Sequence, residues 1–490
     1  MLEETNNVFQ HITPTIYSPS FLQDMIILDF ITTGDYLMYE EIIQSITPTE
    51  EQRKKILDFS DKLIDIITSK ASENGIDVKC RLVGSMAKKT SLIDKADMDI
   101  FITFPLTTPE EELKKYGLDL GRYCIEQIGA DEEVRYASHP YITGLTDSFE
   151  IDFVPCYRIK DSSQLKSAVD RTILHTDYVQ ANLDDSMAKQ VLLLKKFMTS
   201  INTYGANFKV GGFSGYLCEL LIIKYGSFEK VVHVAGQNWH EGFSIDLENY
   251  GTANNFDAPL IVIDPTDKGR NVSAALSSQK FSEFIVACRN FMENPCRDYF
   301  KTRKVDVSAN DLKNEFLDRN TKCYVLSFKV PDMPSDIIYP QITKTRKSFE
   351  RVSEIYDFSV IQSSYFIREN TAHILLEYEV DCLSNIKIHE GPLVKLRSNG
   401  DNFKNKYDGA FIFEDSWKAI IKREYTNVIE MINGVITDKQ KNLLKLGKNV
   451  KKEIEKEYSL IDIYSFIDNC NQNDFIDIYM HLHPTYRLER

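Results

Sequence analysis

The sequence predicts an α+β protein of several domains, and three observations lead to this prediction. The chain has 490 residues, which is too long for one ordinary domain. Short apolar runs typical of strands alternate with segments whose apolar residues recur at helical spacing. No stretch approaches the roughly 20 apolar residues of a membrane-spanning helix, so no membrane partner is expected.

Local patterns predict the elements of the first part of the chain. Ile56, Leu63 and Ile67 recur at helical spacing and predict a helix over 49–72. Prolines are expected to end two of the strands, because proline has no N–H to donate to a neighbouring strand. The predicted strands are 78–83, 97–104 (ended by Pro105) and 149–154 (ended by Pro155), with helices starting at 84 and over 113–128.

The rest of the chain divides into a mainly helical region and a second mixed region. The strongest helical patterns lie at 187–200 and 216–225. The second mixed region begins near Ser308, and turn signals mark a last segment from about 386. Its predicted strands are 323–330 and 373–380, with a helix over 338–355 between them. The expected domain bounds are 1–45, 46–160, 161–293, 294–385 and 386–490.

Charge and cysteine usage limit the protein class. Taken alone, the formal net charge of −15 argues against a nucleic-acid partner, because phosphate binding needs clustered lysine and arginine. From 395 to 452, however, basic residues outnumber acidic ones, which predicts either a local basic surface or a solvated helix face. Nine scattered cysteines argue against a disulfide framework and a zinc ribbon. The N-terminus has no signal-peptide pattern, so a cytoplasmic location is expected.

The strongest chemical signal is a set of three carboxylates on predicted strands. Asp97 and Asp99 are two positions apart, so their side chains point to the same face of one strand. Asp152 lies on the third predicted strand. Converging carboxylates need a cation to neutralise them, and Mg²⁺ prefers such hard oxygen ligands together with substrate phosphates. An isolated Asp-x-Asp is usually solvent-facing, so the interpretation depends on its surroundings.

A Gly-Ser turn twelve residues before this pair supplies those surroundings. Gly84 allows close backbone approach to a phosphate, and Ser85 adds a hydroxyl. The helix that follows offers free N–H groups to an anion, and Lys88 adds a positive charge one turn later. Together with the three carboxylates, this turn predicts a site for a metal-bound nucleoside triphosphate and therefore nucleotidyl transfer.

These motifs resemble those of a known family. The run from Gly84 through Lys88 to Asp97-Met98-Asp99-Ile100-Phe101 resembles the signature of polymerase-β-type nucleotidyltransferases. Further stretches are similar to the archaeal, class I CCA-adding enzymes. These stretches are 137–144, 152–157, 167–172 with His175, 212–221 and 264–272.

The resemblance implies untemplated addition of C, C and A to the 3′ end of tRNA, from CTP and ATP. It implies a nucleotidyltransferase head at 46–160, a helical neck at 161–293, a mixed body at 294–385 and a tRNA-binding tail at 386–490. Asp97, Asp99 and Asp152 would hold the metals, and Asp152 would also deprotonate the tRNA 3′ hydroxyl. The positions that match the family's nucleotide site are Gly84, Ser85, Lys88, His175, Lys195, Tyr204 and, near the incoming base, Arg270.

Other interpretations of these residues remain open. By pattern alone, Lys195 would be a helix lysine that extends to solvent, and His481 and His483 would be surface residues. A nucleotidyltransferase acting on a different RNA or on a non-RNA acceptor is the main alternative function. A catalytically inactive RNA-binding protein is a third, against which the presence of all three carboxylates argues. The sequence leaves the oligomeric state open, a homodimer included.

Overall fold

The computed structural model describes residues 33–93, 97–136, 140–147, 149–437 and 443–490. Parts of three sequence predictions lie outside these residues: the N-terminal extension, the motif at 137–144 and the basic stretch at 395–452. The chain folds into two compact units. Unit 1 contains the described residues up to Ala206, together with Val210–Arg303 and Arg487–Arg490, and unit 2 contains Asn207–Lys209 and Lys304–Tyr486.

A five-stranded sheet forms the first part of unit 1. Its order is β1-β2-β5-β4-β3, with β2 and β5 parallel and the other neighbours antiparallel. The strands are β1 (Lys79–Val83), β2 (Asp97–Phe104), β3 (Asp131–Tyr136), β4 (Pro140–Leu145) and β5 (Glu150–Tyr157). The helices of this part of unit 1 are α1 (Thr33–Ile46), α2 (Glu50–Glu73), α3 (Gly84–Ala87) and α4 (Glu110–Ile128).

Alternation along β2 explains which face of the sheet is buried. Met98 and Ile100 are fully buried and pack with apolar residues of α2 and α4, such as Leu63 and Leu120. Asp97 and Asp99 alternate with them and therefore lie on the opposite face. Helix α2 begins at a capping box, in which Thr49 and the residue three positions later satisfy each other's backbone N–H groups.

The prediction that Pro155 ends its strand is wrong, because β5 continues to Tyr157. The described pairing of β4 with β5 extends from Glu150 to Phe153, whereas β2 pairs with β5 along its whole length, including Pro155. Pro155 thus lies beyond the described β4 pairing, a position where a residue without an N–H to donate is tolerated. Strands β3 and β4 were not predicted; β3 is a polar edge strand whose first residues are Asp131 and Glu132.

The second part of unit 1 is mainly helical, as predicted, and contains a small sheet that was not predicted. Its helices are α5 (Arg171–Asn182), α6 (Asp185–Ser200), α7 (Gly215–Tyr225), α8 (Phe228–Asn238) and α9 (Ser278–Glu293). Its strands are β6 (Phe243–Asp246), β7 (Leu260–Asp264) and β8 (Asp267–Asn271). Apolar side chains of these elements form one large core around Phe197 and Phe284, and helix α1 contributes residues such as Ile43 to it.

The last residues of the chain also belong to unit 1. Leu488 is buried in the same core, and its carbonyl oxygen accepts a hydrogen bond of 3.1 Å from Asn290. The Arg490 guanidinium lies 5.2 Å from the Tyr299 ring centroid, and its Nε donates to the carbonyl oxygen of Asp298 at 2.8 Å. These contacts fix the carboxyl end of the chain to the helical part of unit 1.

Unit 2 is built on a four-stranded antiparallel sheet in the order β10-β11-β9-β15, covered on both faces by helices. Its strands are β9 (Lys322–Lys329), β10 (Val360–Arg368), β11 (Thr371–Tyr378) and β15 (Ser459–Asp462). Its helices are α10 (Ala309–Arg319), α11 (Ser335–Ile355), α13 (Val428–Thr437), α14 (Lys448–Lys456), α15 (Ile463–Asn469) and α16 (Gln472–Leu482). A separate three-stranded sheet in the order β12-β14-β13 packs on α12 (Arg397–Lys406). Its strands are β12 (Ile386–Leu393), β13 (Phe411–Phe413) and β14 (Ser416–Lys422).

The expectation that His481 is a surface residue is wrong. His481 is 4% exposed; its Nδ1 lies 2.7 Å from the Ser364 hydroxyl, and its Nε2 lies 3.3 Å from a carboxylate oxygen of Glu377. Glu377 is fully buried and accepts two hydrogen bonds from Arg319, at 2.9 and 3.0 Å. Burial alone would raise the pKa of Glu377, but the nearby His481 ring and the hydrogen bonds from Arg319 and Thr321 lower it to about 2. This cluster joins the last helix of unit 2 to its sheet.

Candidate active site

Strand register brings the three predicted carboxylates onto one face of the first sheet. In the parallel pair of β2 and β5, Asp99 lies beside Asp152, and Asp97 lies beside Glu150. Asp97 and Asp99 share a face because they are two positions apart on β2. The sequence had suggested a third carboxylate on a neighbouring strand, and the structure places Asp152 directly next to Asp99.

The three carboxylates carry like charges close together, and Asp99 and Asp152 are partly buried whereas Asp97 is exposed. Burial raises the pKa of Asp99 to about 7, and the negative charges of Asp152 and Asp97 add to the rise. Burial also raises the pKa of Asp152, although the Thr143 hydroxyl donates to it at 2.6 Å and Arg135 lies 4.0 Å away. A nearby cation would relieve this repulsion. Among the described residues, no group of three histidine, cysteine, aspartate or glutamate side chains is arranged to hold a metal ion by itself.

Gly84 is required by its contact with Asp99. Its φ is +72°, in the left-handed region that favours glycine. A Cβ at this position would lie 2.1 Å from Asp99 Oδ2, which is far inside van der Waals contact. The turn therefore presses the backbone against the carboxylate. Ser85 follows in the single-turn helix α3, and its carbonyl oxygen accepts from the Thr90 backbone N–H at 2.9 Å.

Lys88 and Lys195 meet at a buried carboxylate that sequence reasoning missed. Lys88 Nζ donates to Glu219 Oε2 at 2.6 Å, and Lys195 Nζ lies 3.6 Å from Glu219 Oε1. The Thr90 hydroxyl also donates to Glu219, at 2.5 Å. The backbone carbonyl oxygen of Thr90 accepts a hydrogen bond from Lys195 at 2.8 Å. Lys195 is 2% exposed, so it does not extend to solvent as its helix pattern alone had suggested. The available signal was an acidic residue within the apolar run 217–222.

A second missed carboxylate, Asp264, joins His175 to Arg270. Asp264 is fully buried, and its Oδ2 lies 2.8 Å from His175 Nε2 and 2.8 Å from an Arg270 nitrogen. Its Oδ1 accepts from Tyr216 at 3.3 Å and from Thr266. Burial would raise the pKa of Asp264, but His175, Thr266 and Arg270 together hold it well below its usual value.

The rings of His175 and Tyr216 stack with centroids 3.9 Å apart and planes 16° apart. Burial lowers the pKa of His175, although the bond to Asp264 opposes this effect. Tyr216 lies on α7, the helix that also carries Glu219. Lys88 Nζ lies 5.8 Å from the centroid of the Tyr216 ring. Tyr204 is also largely buried, which raises its pKa, and its backbone forms a bridge to Phe213. Four of the predicted nucleotide residues, Lys88, Lys195, His175 and Arg270, are therefore connected through Glu219, Tyr216 and Asp264 in unit 1.

The comparisons with known proteins cover most of the chain. Family models match a nucleotidyltransferase domain over 60–175, the second domain of a tRNA nucleotidyltransferase over 189–301, and the C-terminal domain of a CCA-adding enzyme over 319–462. Among the described residues, no helix is long and apolar enough to cross a membrane.

Several relatives carry the name CCA-adding enzyme. The protein of Methanothermobacter thermautotrophicus is 42% identical over 92% of this chain and 99% of its own length. That of Methanocaldococcus jannaschii is 36% identical over 82% of this chain and 91% of its own length. That of Methanosarcina mazei is 34% identical over 86% of this chain and 92% of its own length. The chain therefore belongs to the archaeal family of CCA-adding enzymes.

Proposed function

We propose that this chain adds CCA to the 3′ end of tRNA from CTP and ATP, without a template, at the site formed by Asp97, Asp99 and Asp152. The observation that carries this proposal is the register of β2 and β5, which sets Asp99 beside Asp152 in a chain of this family. The intact set of three carboxylates favours an active transferase over an inactive RNA-binding protein.

Mg²⁺ is the cofactor that these residues fit best. The donors are carboxylate oxygens, and a divalent cation would favour the ionised form of Asp99, whose pKa is raised first by burial and then by the charges of Asp152 and Asp97. When bound, the metal would lower the pKa of the attacking hydroxyl and neutralise charge on the leaving pyrophosphate. Asp97, Asp99 and Asp152 would be its ligands.

The chain's own residues then account for the transfer. The 3′ oxygen of the RNA forms a bond to the α-phosphorus, and the bond from that phosphorus to pyrophosphate breaks. Asp152 is the group assigned to take the 3′-hydroxyl proton. Gly84, Ser85, Lys88, His175, Lys195 and Tyr204 are assigned to the triphosphate and sugar, and Arg270 to the base.

We assign the RNA to the tail at 386–490 and the chemistry to the head at 46–160, with the neck at 161–293 and the body at 294–385 between them. The role of residues 1–45 is left unassigned. A cytoplasmic location agrees with free cysteines throughout the described chain and with these substrates. Light scattering in solution decides between a monomer and a homodimer.

Incorporation of labelled nucleotides tests the proposed function. The purified protein is given CTP and ATP, one of them labelled, with Mg²⁺ and tRNA that ends at its discriminator base. We expect two C residues and then one A to be added. Incorporation into another RNA alone would indicate a specialised nucleotidyltransferase, and no incorporation into any RNA would reject the proposal.

Arg270 provides a prediction about base choice. Its guanidinium is held by Asp264 at 2.8 Å, while 35% of its side chain stays exposed. Cytosine and adenine both present an acceptor next to an amino group, whereas uracil and guanine present the reverse. Arg270→Ala should therefore lower the use of both CTP and ATP, through a loss of about 1 to 3 kcal/mol in binding free energy, and should relax the rejection of UTP.

Single-nucleotide incorporation with each of the four triphosphates measures this effect. Arg171→Ala is a suitable control, because Arg171 is bonded to Asp267 at 3.0 Å on the neighbouring strand rather than to Asp264. Wild-type rates and discrimination in Arg270→Ala would make Arg270 a structural residue.

The small sheet of unit 2 provides a prediction about RNA affinity. Lys418 and Lys422 share one face of β14, where Lys422 is exposed and Lys418 pairs with Glu390 at 2.9 Å. Lys418→Glu with Lys422→Glu should weaken tRNA binding, and the loss should shrink as salt increases because phosphate contacts are screened. Activity at saturating tRNA should change little.

Filter binding at several salt concentrations measures the affinity. A matched control is Lys344→Glu with Lys347→Glu on α11, which makes the same change in net charge at two exposed lysines. Equal effects of the two double variants would show that only net charge matters, and unchanged affinity in both would identify a solvated surface.

A further inference from the structure

Glu219 is the centre of a buried charge cluster with Lys88 and Lys195, and the proposed mechanism gives Glu219 itself no role. It is fully buried in α7, with apolar neighbours on both sides in the sequence. Two ammonium groups and one hydroxyl converge on its carboxylate from two other segments of the chain: Lys88 and Thr90 after the Gly-Ser turn, and Lys195 in α6.

The charges of this cluster do not cancel. Lys88 and Lys195 carry two positive charges, and Glu219 carries one negative charge, so one positive charge remains. The side chain of Lys88 is 8% exposed and that of Lys195 is 3% exposed, so water compensates little of it. A buried surplus of this kind attracts an anion, and a nucleoside triphosphate brings several negative charges.

Glu219 also determines whether the two lysines stay charged and in place. Burial lowers the pKa of Lys195, and the negative charge of Glu219 opposes this effect. Without Glu219 the two ammonium groups would repel each other in the interior, and each would lose its buried partner.

We propose that Glu219 is a positioning residue that holds Lys88 and Lys195 together as one preformed cationic group for the phosphates of the incoming nucleotide. This inference rests on the proposed function only in taking the ligand to be a nucleoside triphosphate. It adds that triphosphate affinity depends on a carboxylate that itself carries the same sign of charge as the ligand.

Calorimetric titration with CTP and with ATP, in Mg²⁺ and without RNA, tests the proposal. Glu219→Gln should weaken binding of both nucleotides about tenfold or more, as expected for losing a charge-assisted positioning bond. A residue that only stabilised the fold would lower the melting temperature without this loss. An unchanged dissociation constant would overturn the proposal.

Glu377→Gln is the matched control. Glu377 is equally buried and is also bound to a cation, Arg319, but it lies in unit 2. We expect it to lower thermal stability and to leave the dissociation constants for CTP and ATP unchanged. An equal loss of nucleotide affinity in both variants would indicate a general loss of stability and would overturn the role of Glu219.

A double-mutant cycle shows whether Glu219 acts through Lys88. Because the two side chains are in direct contact, Lys88→Gln combined with Glu219→Gln should lose less nucleotide affinity than the sum of the two single losses, with Lys195 accounting for what is lost beyond Lys88→Gln. Additive losses would overturn the proposal. Should Glu219→Gln not fold, Thr90→Val takes its place; it removes the hydroxyl that binds Glu219 and keeps the side-chain shape, and unchanged nucleotide binding in it would overturn the proposal.

These experiments distinguish a failure of the inference on Glu219 from a failure of the proposed function. If the wild-type protein binds CTP and ATP but adds neither to tRNA, the proposed function is wrong and the inference on Glu219 can still hold. If the wild-type protein adds CCA while Glu219→Gln binds nucleotide normally, the function stands and the inference is wrong.

Discussion

Asp99→Ala should lower the incorporation of CMP and AMP into tRNA at least about a thousandfold. The substitution removes the carboxylate that lies between Asp97 on its own strand and Asp152 on the next, and with it a proposed metal ligand. Loss of several kcal/mol of transition-state stabilisation corresponds to this factor, since about 1.4 kcal/mol is tenfold in rate. Asp97→Ala and Asp152→Ala should have effects of the same order.

The fold should survive these substitutions, because removing one of three like charges relieves repulsion. Thermal unfolding of the Asp99→Ala protein should therefore occur at the wild-type temperature or above it. Asp119→Ala, at an exposed carboxylate on α4, is the control and should keep full activity. Incorporation close to the wild-type rate in folded Asp99→Ala would contradict the assignment of the active site.

Gly84→Ala should lower incorporation about a hundredfold while all three carboxylates remain in the sequence. The new methyl group would lie 2.1 Å from Asp99 Oδ2, so either the turn or the carboxylate must move. A displacement of about 1 Å at reacting groups typically costs about this factor. Alanine at φ +72° also costs about 1 to 2 kcal/mol of folding free energy.

Gly75→Ala separates these two effects. Gly75 has φ +67°, nearly the same as Gly84, but a Cβ there has no atom within 4 Å. Both variants should lose similar stability in chemical denaturation, and only Gly84→Ala should lose activity. An active Gly84→Ala protein would mean that the turn and Asp99 move apart without consequence for the reaction.

Predictions from local sequence patterns succeeded where the physical cause is itself local. Strand β2 begins and ends at the predicted residues. Asp97 and Asp99 lie on the same face because side chains alternate with a two-residue period in any strand. The Gly-Ser turn was also recognised, although its reason was not. From the sequence, Gly84 is expected to let the backbone approach a phosphate. The structure adds a second reason for glycine at this position, because a Cβ would collide with the Asp99 carboxylate.

The missed features depend on contacts between distant residues. Lys88 and Glu219 are 131 positions apart, so no spacing rule relates them. Asp264 ends an apolar strand, and its partner His175 comes 89 positions earlier. Strand β3 was missed because it is a polar edge strand with little apolar alternation. These side chains come into contact only in the folded chain.

Fixing the carboxyl end of the chain in unit 1 has a consequence for unit 2 in terms of chain entropy. Leu488 and Arg490 are fixed in unit 1, as is the segment that ends at Arg303, so residues 304–486 form a loop closed at both ends. When unit 2 unfolds while unit 1 stays folded, the unfolded segment cannot reach the conformations open to a free end. A covalent link around about 100 residues removes about 4.7 kcal/mol of such freedom, and these non-covalent contacts act in the same direction. Four residues at the end of the chain thus stabilise a unit to which they do not belong.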